Sequence, residues 1–222
     1  MDKRIFKDSV YGELSSISKA MANPNRLEII DLLAQKEFSV EEIANQTNMS
    51  IANASQHLQT LKVARLVNSV RNGHYIYYTL VNESVFKFWK ALREFGTERN
   101  AEIRKVVEDF RKGKGAFESV TLKDLRERED LRDCIFLDVR PQAEFDSGTI
   151  PNAISIPVDE LNDRFKELPR DKKIVAFCRG PFCTFADEAI KLLDEKGYKA
   201  VRLEEGYPDW KNNNQKIALG TA

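Results

Sequence analysis

Histidine is scarce in this chain. It occurs twice in 222 residues, as His57 and His74, and never in the second half. Cysteine chemistry in the second half must therefore run without a Cys–His pair, which excludes the papain-like arrangement. The three cysteines, Cys134, Cys178 and Cys183, are too few for a disulfide scaffold, so a reducing cytoplasm is the expected compartment. No CxxC or HxxxH spacing occurs, so neither a metal site nor a cofactor is expected. There is no run of about 18 apolar residues to cross a bilayer, and MDKRIFKDSVYGEL has no apolar stretch of the secretory type, so no membrane partner is expected. Acidic residues are missing from Ser50–Asn82, which carries Lys62, Arg65 and Arg71 but no carboxylate, although 32% of the whole chain is charged. A phosphate backbone favours such a stretch, because a nearby carboxylate would repel it.

The length suits two domains, and 42% hydrophobic residues suffice for a core in each. The overall charge of zero hides an asymmetry: residues 1–115 carry a net +4 and residues 116–222 a net −4. One half can face a polyanion and the other cannot.

Residues 1–82 read as four helices followed by a hairpin. Asn23-Pro24 is a cap followed by a first-turn proline, Ser39-Val40-Glu41-Glu42 is a capping box, and Ser50 caps the next helix. In that helix Ile51, Ala54, Leu58 and Leu61 form the expected core face. Asn53, Gln56 and Thr60 then point outward, Ala52 and Gln59 flank them, and Ser55 lies near the edge. Asn and Gln can pair bidentately with adenine in the major groove. His57 faces sideways, toward either a phosphate or local packing. Leu66–Arg71 and His74–Leu80 are strand-like runs around Asn72-Gly73, a strong hairpin pair. A wing carrying Arg71, Asn72 and His74 would reach the flanking groove. Residues 83–112 read as one long or broken helix with Val85, Phe86, Trp89, Leu92, Ile103, Val106, Val107 and Phe110, either ordinary core or a dimer interface. Arg111-Lys112-Gly113-Lys114-Gly115 reads as a linker.

SKAMANPNRLEIIDLL, SVEEIANQTNMSIANASQHLQTLKVARLV and RNGHYIYYTL make residues 12–95 resemble the ArsR/SmtB family of winged-helix repressors. The resemblance implies a homodimer, paired through terminal helices, that binds double-stranded operator DNA. The implied DNA-binding set is Ser50, Asn53, Ser55, Gln56, His57, Thr60, Arg71, Asn72 and His74. Residues 37–45 lack the Cys pair of the arsenic-type sensors, and this half has no Cys for persulfide sensing, so any signal must enter elsewhere.

Beyond Phe117, strands and helices alternate. Cys134–Val139, Ala153–Ile156, Lys173–Phe177 and Ala200–Leu203 are strand-like, with helices at Leu161–Leu168 and Thr184–Lys196 between them. This predicts a parallel α/β sheet with helices on both sides. Between the strand ending at Phe177 and the helix beginning at Thr184 stands Cys178-Arg179-Gly180-Pro181-Phe182-Cys183. A loop running from a strand into a helix turns backbone N–H groups inward as an anion nest, which depresses a thiol pKa without a histidine. Arg179 adds a cation able to meet a sulfate-like group. Cys134, at the start of a buried strand, is expected to be plain core.

LDVRPQAEFDSGTIPNAISIP, CRGPFC and LEEGYPDW make residues 117–215 resemble a single rhodanese domain, whose cysteine carries sulfane sulfur as a persulfide. The resemblance makes Cys178 the sulfur carrier, with Arg179, Asp138 and Arg140 as the catalytic set and Glu144 joining them structurally. Gly180, Pro181, Phe182, Cys183 and Thr184 form the substrate-binding loop. Thr149 stands where His is usual and Glu205 where Gly is usual. Cys183 is close enough in sequence to attack a modified Cys178, provided the loop brings the thiols together.

The expected class is thus multidomain α+β and α/β. Residues 1–100 would be a winged helix-turn-helix DNA-binding domain with dimerisation helices, 101–116 a helical extension and linker, and 117–222 a rhodanese domain. The leading functional expectation is a transcriptional regulator, a repressor by family, whose rhodanese half carries or senses sulfane sulfur from thiosulfate, polysulfide or a low-molecular-weight persulfide. The alternatives are a sulfurtransferase that uses the helical half mainly to dimerise, and a DNA-binding protein with a purely structural rhodanese domain.

Overall fold

The computed structural model describes residues 1–115 and 117–213, so the end of the 117–222 segment lies outside the described residues. The chain divides into two compact units, Met1–Ala91 and Leu92–Ala222.

The first unit runs α1 (Lys3–Met21), α2 (Pro24–Leu33), β1 (Phe38–Ser39), α3 (Val40–Gln46), α4 (Ile51–Val63), β2 (Val67–Asn72), β3 (Tyr75–Leu80) and the start of α5 (Glu83–Arg99). The caps form as expected. Asn23 accepts from the Arg26 amide ahead of Pro24, Ser39 and Glu42 form a reciprocal capping box, and Ser50 accepts from the Asn53 amide. α3 and α4 both end in a Schellman turn. Met49 N–H donates to Ala44 O and Leu66 N–H to Leu61 O, with Asn48 (φ 52°) and Arg65 (φ 59°) in the left-handed position. The turn between α3 and α4 thus comes from an asparagine that tolerates this conformation. The core gathers Ile29, Ile30, Ile43, Ala54, Leu58, Leu61, Tyr78, Phe86 and Trp89. Trp89 Nε1 donates to Asp31 Oδ1 at 2.7 Å, which satisfies the indole as it is buried.

Two expectations change here. Ile51 is exposed rather than core, because it sits in the first turn, ahead of the stretch where α4 is covered. The hairpin turns on Gly73-His74, since Asn72 pairs with Tyr75 as the last residue of β2. The positive φ of a two-residue hairpin turn falls on Gly73 (φ 61°), where no Cβ resists it, rather than on Asn72. β1, too short to read from the sequence, pairs with β3 to give the order β1-β3-β2.

The second unit contains the rest of α5, α6 (Ala101–Lys114), β4 (Ser119–Val120), α7 (Asp124–Glu127), β5 (Ile135–Asp138), α8 (Gln142–Asp146), β6 (Ile154–Ser155), α9 (Leu161–Arg164), β7 (Ile174–Phe177), α10 (Phe185–Glu195), β8 (Ala200–Leu203) and α11 (Tyr207–Asn213). Asn100 breaks the 83–112 stretch and caps α6 through the Glu102 amide. α6 continues through Lys114 and packs on α10, so residues 111–114, expected as linker, are helical. The sheet is parallel, in the order β4-β8-β7-β5-β6. Its three central strands, β8, β7 and β5, are largely buried on both faces, as parallel strands covered by helices must be. Leu137, Ile174, Ala176 and Cys178 face one cluster with Ala186, Ala189, Ile190 and Leu193 of α10. Phe136, Val175, Phe177, Val201 and Leu203 face the other, with Tyr207 and Trp210 of α11. Cys134 lies just before β5, half-buried against the second cluster, where burial raises its thiol pKa.

Candidate nucleic-acid interface and thiolate loop

In the first unit, α3, its left-handed turn and α4 form a helix-turn-helix. The outer face of α4 exposes Ala52, Gln56, Thr60 and Val63, with Asn53 and Ser55 half-buried beside them. Among the neighbours, Gln59 is committed: its Nε2 donates to Tyr78 Oη at 3.0 Å. The Ser50 hydroxyl is occupied as the helix cap, and Thr60 Oγ1 donates back to Gln56 O. His57 meets Asn25, with 3.3 Å between its Nε2 and the Asn25 amide nitrogen. Burial, and then the charge of Arg26, lower its pKa, so His57 leans toward the neutral form. Arg71, Asn72, Gly73 and His74 are all exposed on the wing, where Arg71 Nε reaches Gly73 O at 3.2 Å. Residues 50–82 thus present exposed amides and hydroxyls on one helix and a cation on the wing, with no carboxylate to repel a phosphate.

In the second unit, β7 delivers Cys178 onto the face that α10 covers. The residue is 1% exposed. As a thiol it points at the carbonyl oxygens of Gly180 (3.9 Å) and Cys183 (3.7 Å). Burial pushes its pKa up, but the Cys183 thiol, the Arg202 guanidinium and the N–H groups of Ala186 and Gly180 outweigh burial. It settles at about 7, below the ordinary 9.0. Cys183 shows the converse. Its hydrogen bond to Cys178, reinforced by burial, holds its thiol protonated well above the ordinary value. The two cysteines thus lean opposite ways across the loop, Cys178 toward the thiolate and Cys183 toward the thiol. No disulfide joins them, and all three cysteines are free.

The loop is held by charges from distant parts of the chain. Arg202, on the Cys178 face of β8, donates from Nη2 to Gly180 O and Pro181 O, both at 3.2 Å, and pairs with Asp187 (3.3 Å) and Glu204 (3.0 Å). Arg111, from α6, grips Glu204 through both terminal nitrogens at 3.0 Å and reaches Pro181 O at 3.1 Å. Arg93, from α5, pairs with buried Asp209 at 2.6 Å, and Asp209 accepts from the Gly206 amide. Gly206 has to be glycine, because a Cβ there would collide with the backbone of Arg179 and Gly180. Tyr207 N–H donates to Cys178 O, fastening α11 under the loop.

The remaining expected residues take other positions. Arg179 does not point freely into the site, because Glu144 accepts its Nε at 3.0 and 3.1 Å and the planar group lies against Phe185. Its charge is near the two sulfurs, but its hydrogen bonds serve the loop frame. Asp138 and Arg140 are fully buried partners at 2.6 Å beneath the loop. Arg140 reaches on to Gly148 O, and Thr149 Oγ1 donates to Asp138 at 2.7 Å. Thr149, which stands where the rhodanese resemblance leads one to expect His, is thus tied to this buried carboxylate. Glu205 accepts the Leu122 amide and ties the end of β4 to the segment after β8. Gly180 is buried, Pro181 and Thr184 are half-buried and Phe182 is exposed.

Sequence reading missed Arg202, Arg111, Asp187 and Glu204. One trace of them was available: an arginine inside the otherwise apolar strand AVRL, alternating with two residues that face the opposite core cluster.

Two family models match the chain: "Bacterial regulatory protein, arsR family" over residues 23–69 and "Rhodanese-like domain" over residues 120–213. The chain is similar to the HTH-type transcriptional regulator Rv0324 of Mycobacterium tuberculosis, 36% identical over 206 residues, which is 92% of this chain and 90% of the relative. Its second half is similar to a sulfurtransferase of Allochromatium vinosum, 29% identical over 40% of this chain and 81% of the relative. Among solved structures it is similar to the homodimeric winged helix-turn-helix DNA-binding domain of a possible ArsR-family regulator of Mycobacterium bovis. That match is 35% identical and covers 46% of this chain and 93% of that one, with a TM-score of 0.43.

Proposed function

Because the chain belongs to the ArsR family of winged helix-turn-helix transcriptional regulators and carries a rhodanese-like domain, we propose that it is a cytoplasmic repressor that takes its signal as sulfane sulfur on Cys178. The observation that carries this reading is the charge state of the loop. A buried sulfur held near neutrality as a thiolate, by one guanidinium, two backbone N–H groups and a partner thiol, is also equipped to hold a persulfide anion. The first unit contains no cysteine. A sulfur signal therefore enters through the second.

The protein acts as a homodimer on an inverted repeat of double-stranded DNA. Supporting the dimer, α1 leaves Phe6, Val10 and Leu14 exposed at four-residue spacing, and α5 leaves Phe88, Leu92 and Phe95 exposed. Such apolar stripes are a feature of protein–protein interfaces. Gln56 and Asn53 read base edges, while Arg71 meets the backbone. No helix among the described residues is long and apolar enough to cross a membrane. The test is binding to the promoter region of its own gene before and after treatment with inorganic polysulfide. Wild-type protein should lose affinity on treatment and Cys178→Ser should not. Equal affinity of treated and untreated wild-type protein would refute the sensing role.

A further inference from the structure

Beside the loop lies a cleft of about 490 Å³ that the frame around Cys178 leaves open. One wall is α6, which precedes the part of the chain matched by the rhodanese-like model. Ile103, Val106, Val107 and Phe110 line that wall, spaced as one face of a helix. Pro181, Phe182 and Cys183 line the opposite wall. Val106 is 67% exposed, and Phe182 and Phe110 are more than 40% exposed, so the apolar surface is open to a ligand. The volume suits a small organic molecule.

The charges around the cleft restrict what enters. Among the described residues, its lining contains one cation, Arg111, already held by Glu204 and Asp187. Glu102 and Asp187 add carboxylates. A dianion such as thiosulfate, or a carboxylated thiol persulfide, would find no unpaired positive partner here and two like charges. The sulfur in the wall is that of Cys183, with Cys178 buried behind it in hydrogen-bonding reach.

We propose that this cleft binds an uncharged, apolar-tailed hydropersulfide, R–S–SH, and that Cys183 is the entry thiol that accepts its sulfur and passes it to Cys178. The proposal rests on the reading of Cys178 as a sulfur carrier. Cys183 gives its proton to the Cys178 thiolate and attacks the terminal sulfur of R–S–SH. The Cys183–S bond forms as the donor S–S bond breaks, and the electron pair leaves on R–S⁻, which takes the proton from Cys178. The Cys178 thiolate then attacks the outer sulfur of the Cys183 persulfide, releasing the Cys183 thiolate. That thiolate recovers a proton from the new Cys178 persulfide. The net change is Cys178–S⁻ plus R–S–SH to Cys178–S–S⁻ plus R–SH, with no external oxidant or reductant.

The experiment loads full-length protein with benzyl hydropersulfide or with thiosulfate and locates the added sulfur by peptide mass spectrometry. Wild type should load Cys178 faster from the benzyl donor. Val106→Asp, at an exposed position, should lower the benzyl-to-thiosulfate loading ratio about tenfold, by removing apolar surface and adding a charge. In Cys178→Ser at pH above 9, the sulfur should be stranded on Cys183. Binding of the inert analogue benzyl methyl sulfide, followed by saturation-transfer NMR, should be seen in wild type and abolished in Val106→Asp. An unchanged ratio, no sulfur on Cys183 in Cys178→Ser, or analogue binding insensitive to Val106→Asp would overturn the proposal. A Val106→Asp protein that changes oligomeric state by light scattering would reassign the cleft to an interface between copies, and so overturn it too. Analogue binding without loading from either donor would overturn the sulfur-carrier reading, and this substrate assignment with it.

Discussion

The two units place their chemistry in opposite ways. The first puts it on the outside: Gln56, Thr60 and Arg71 are exposed side chains on a scaffold whose interior buries no charged residue among those described. The second puts it inside. Cys178, Asp138, Arg140, Glu144, Arg202 and Asp209 are each at most 2% exposed; Asp138 and Arg140 meet each other's charge, and Glu144, Arg202 and Asp209 meet partners distant in sequence. A surface that reads a polymer has to stay solvated until the polymer arrives. A site that holds a reactive anion needs fixed dipoles and restricted water. Mutations should therefore act as losses of affinity in the first unit and as losses of structure or of charge state in the second.

The largest effect expected is from Arg202→Leu. It removes two hydrogen bonds to loop carbonyls and leaves Asp187 and Glu204 without one of their cations. Breaking a buried ion pair costs about 3–5 kcal/mol. Chemical denaturation should show that loss confined to the second unit, while the salt dependence of DNA binding is unchanged. A comparable fall in first-unit stability would break the contrast.

The thiol pair provides a pH test. The Cys178 pKa is lowered to about 7 from 9.0, so its contribution to stability is present in full above pH 9 and is lost as pH falls through about 7. The Cys183 pKa is raised, so above pH 9 the unfolded chain releases a proton that the folded one retains, and stability falls. The stability of wild type relative to Cys178→Ala/Cys183→Ala should rise from pH 7 to a maximum near 9 and then decline, as followed by urea midpoints. Cys183→Ala alone should move the Cys178 alkylation midpoint upward, because the thiolate loses a donor.

Next come the groups proposed to meet DNA. Gln56→Ala should relax base preference at one operator position by about 1–3 kcal/mol. Arg71→Ala should weaken all sequences alike and flatten the slope of log affinity against log salt by about 0.9 for each phosphate it no longer neutralises. Fluorescence anisotropy on matched and mutated operators separates the two. The smallest effect is that of Ser50→Ala, which removes the α4 cap at about 1 kcal/mol and should appear in thermal unfolding of the first unit.

Local rules determined much of this protein directly from its sequence. The caps at Asn23, Ser39 and Ser50, the apolar period of α4, the hairpin, the alternation of strands with helices and the position of Cys178 between β7 and α10 all depend on residues a few positions apart. Errors of register stayed small for the same reason: the turn moved one residue, to Gly73-His74, and one apolar residue, Ile51, emerged from the core. Only the tertiary structure decided which charges surround the sulfur. Arg93, Arg111, Glu144, Asp187, Arg202, Glu204 and Asp209 come from six separate segments. Apart from Arg202, an arginine inside the apolar strand AVRL, and Glu144, to which the rhodanese resemblance points, none carries a local signature, since a charged side chain can be solvated or paired with equal ease until a fold buries it. The direction of Arg179 was settled the same way. Sequence places a cation beside the cysteine, and the buried Glu144 carboxylate, 35 residues earlier, turns it into the loop's frame.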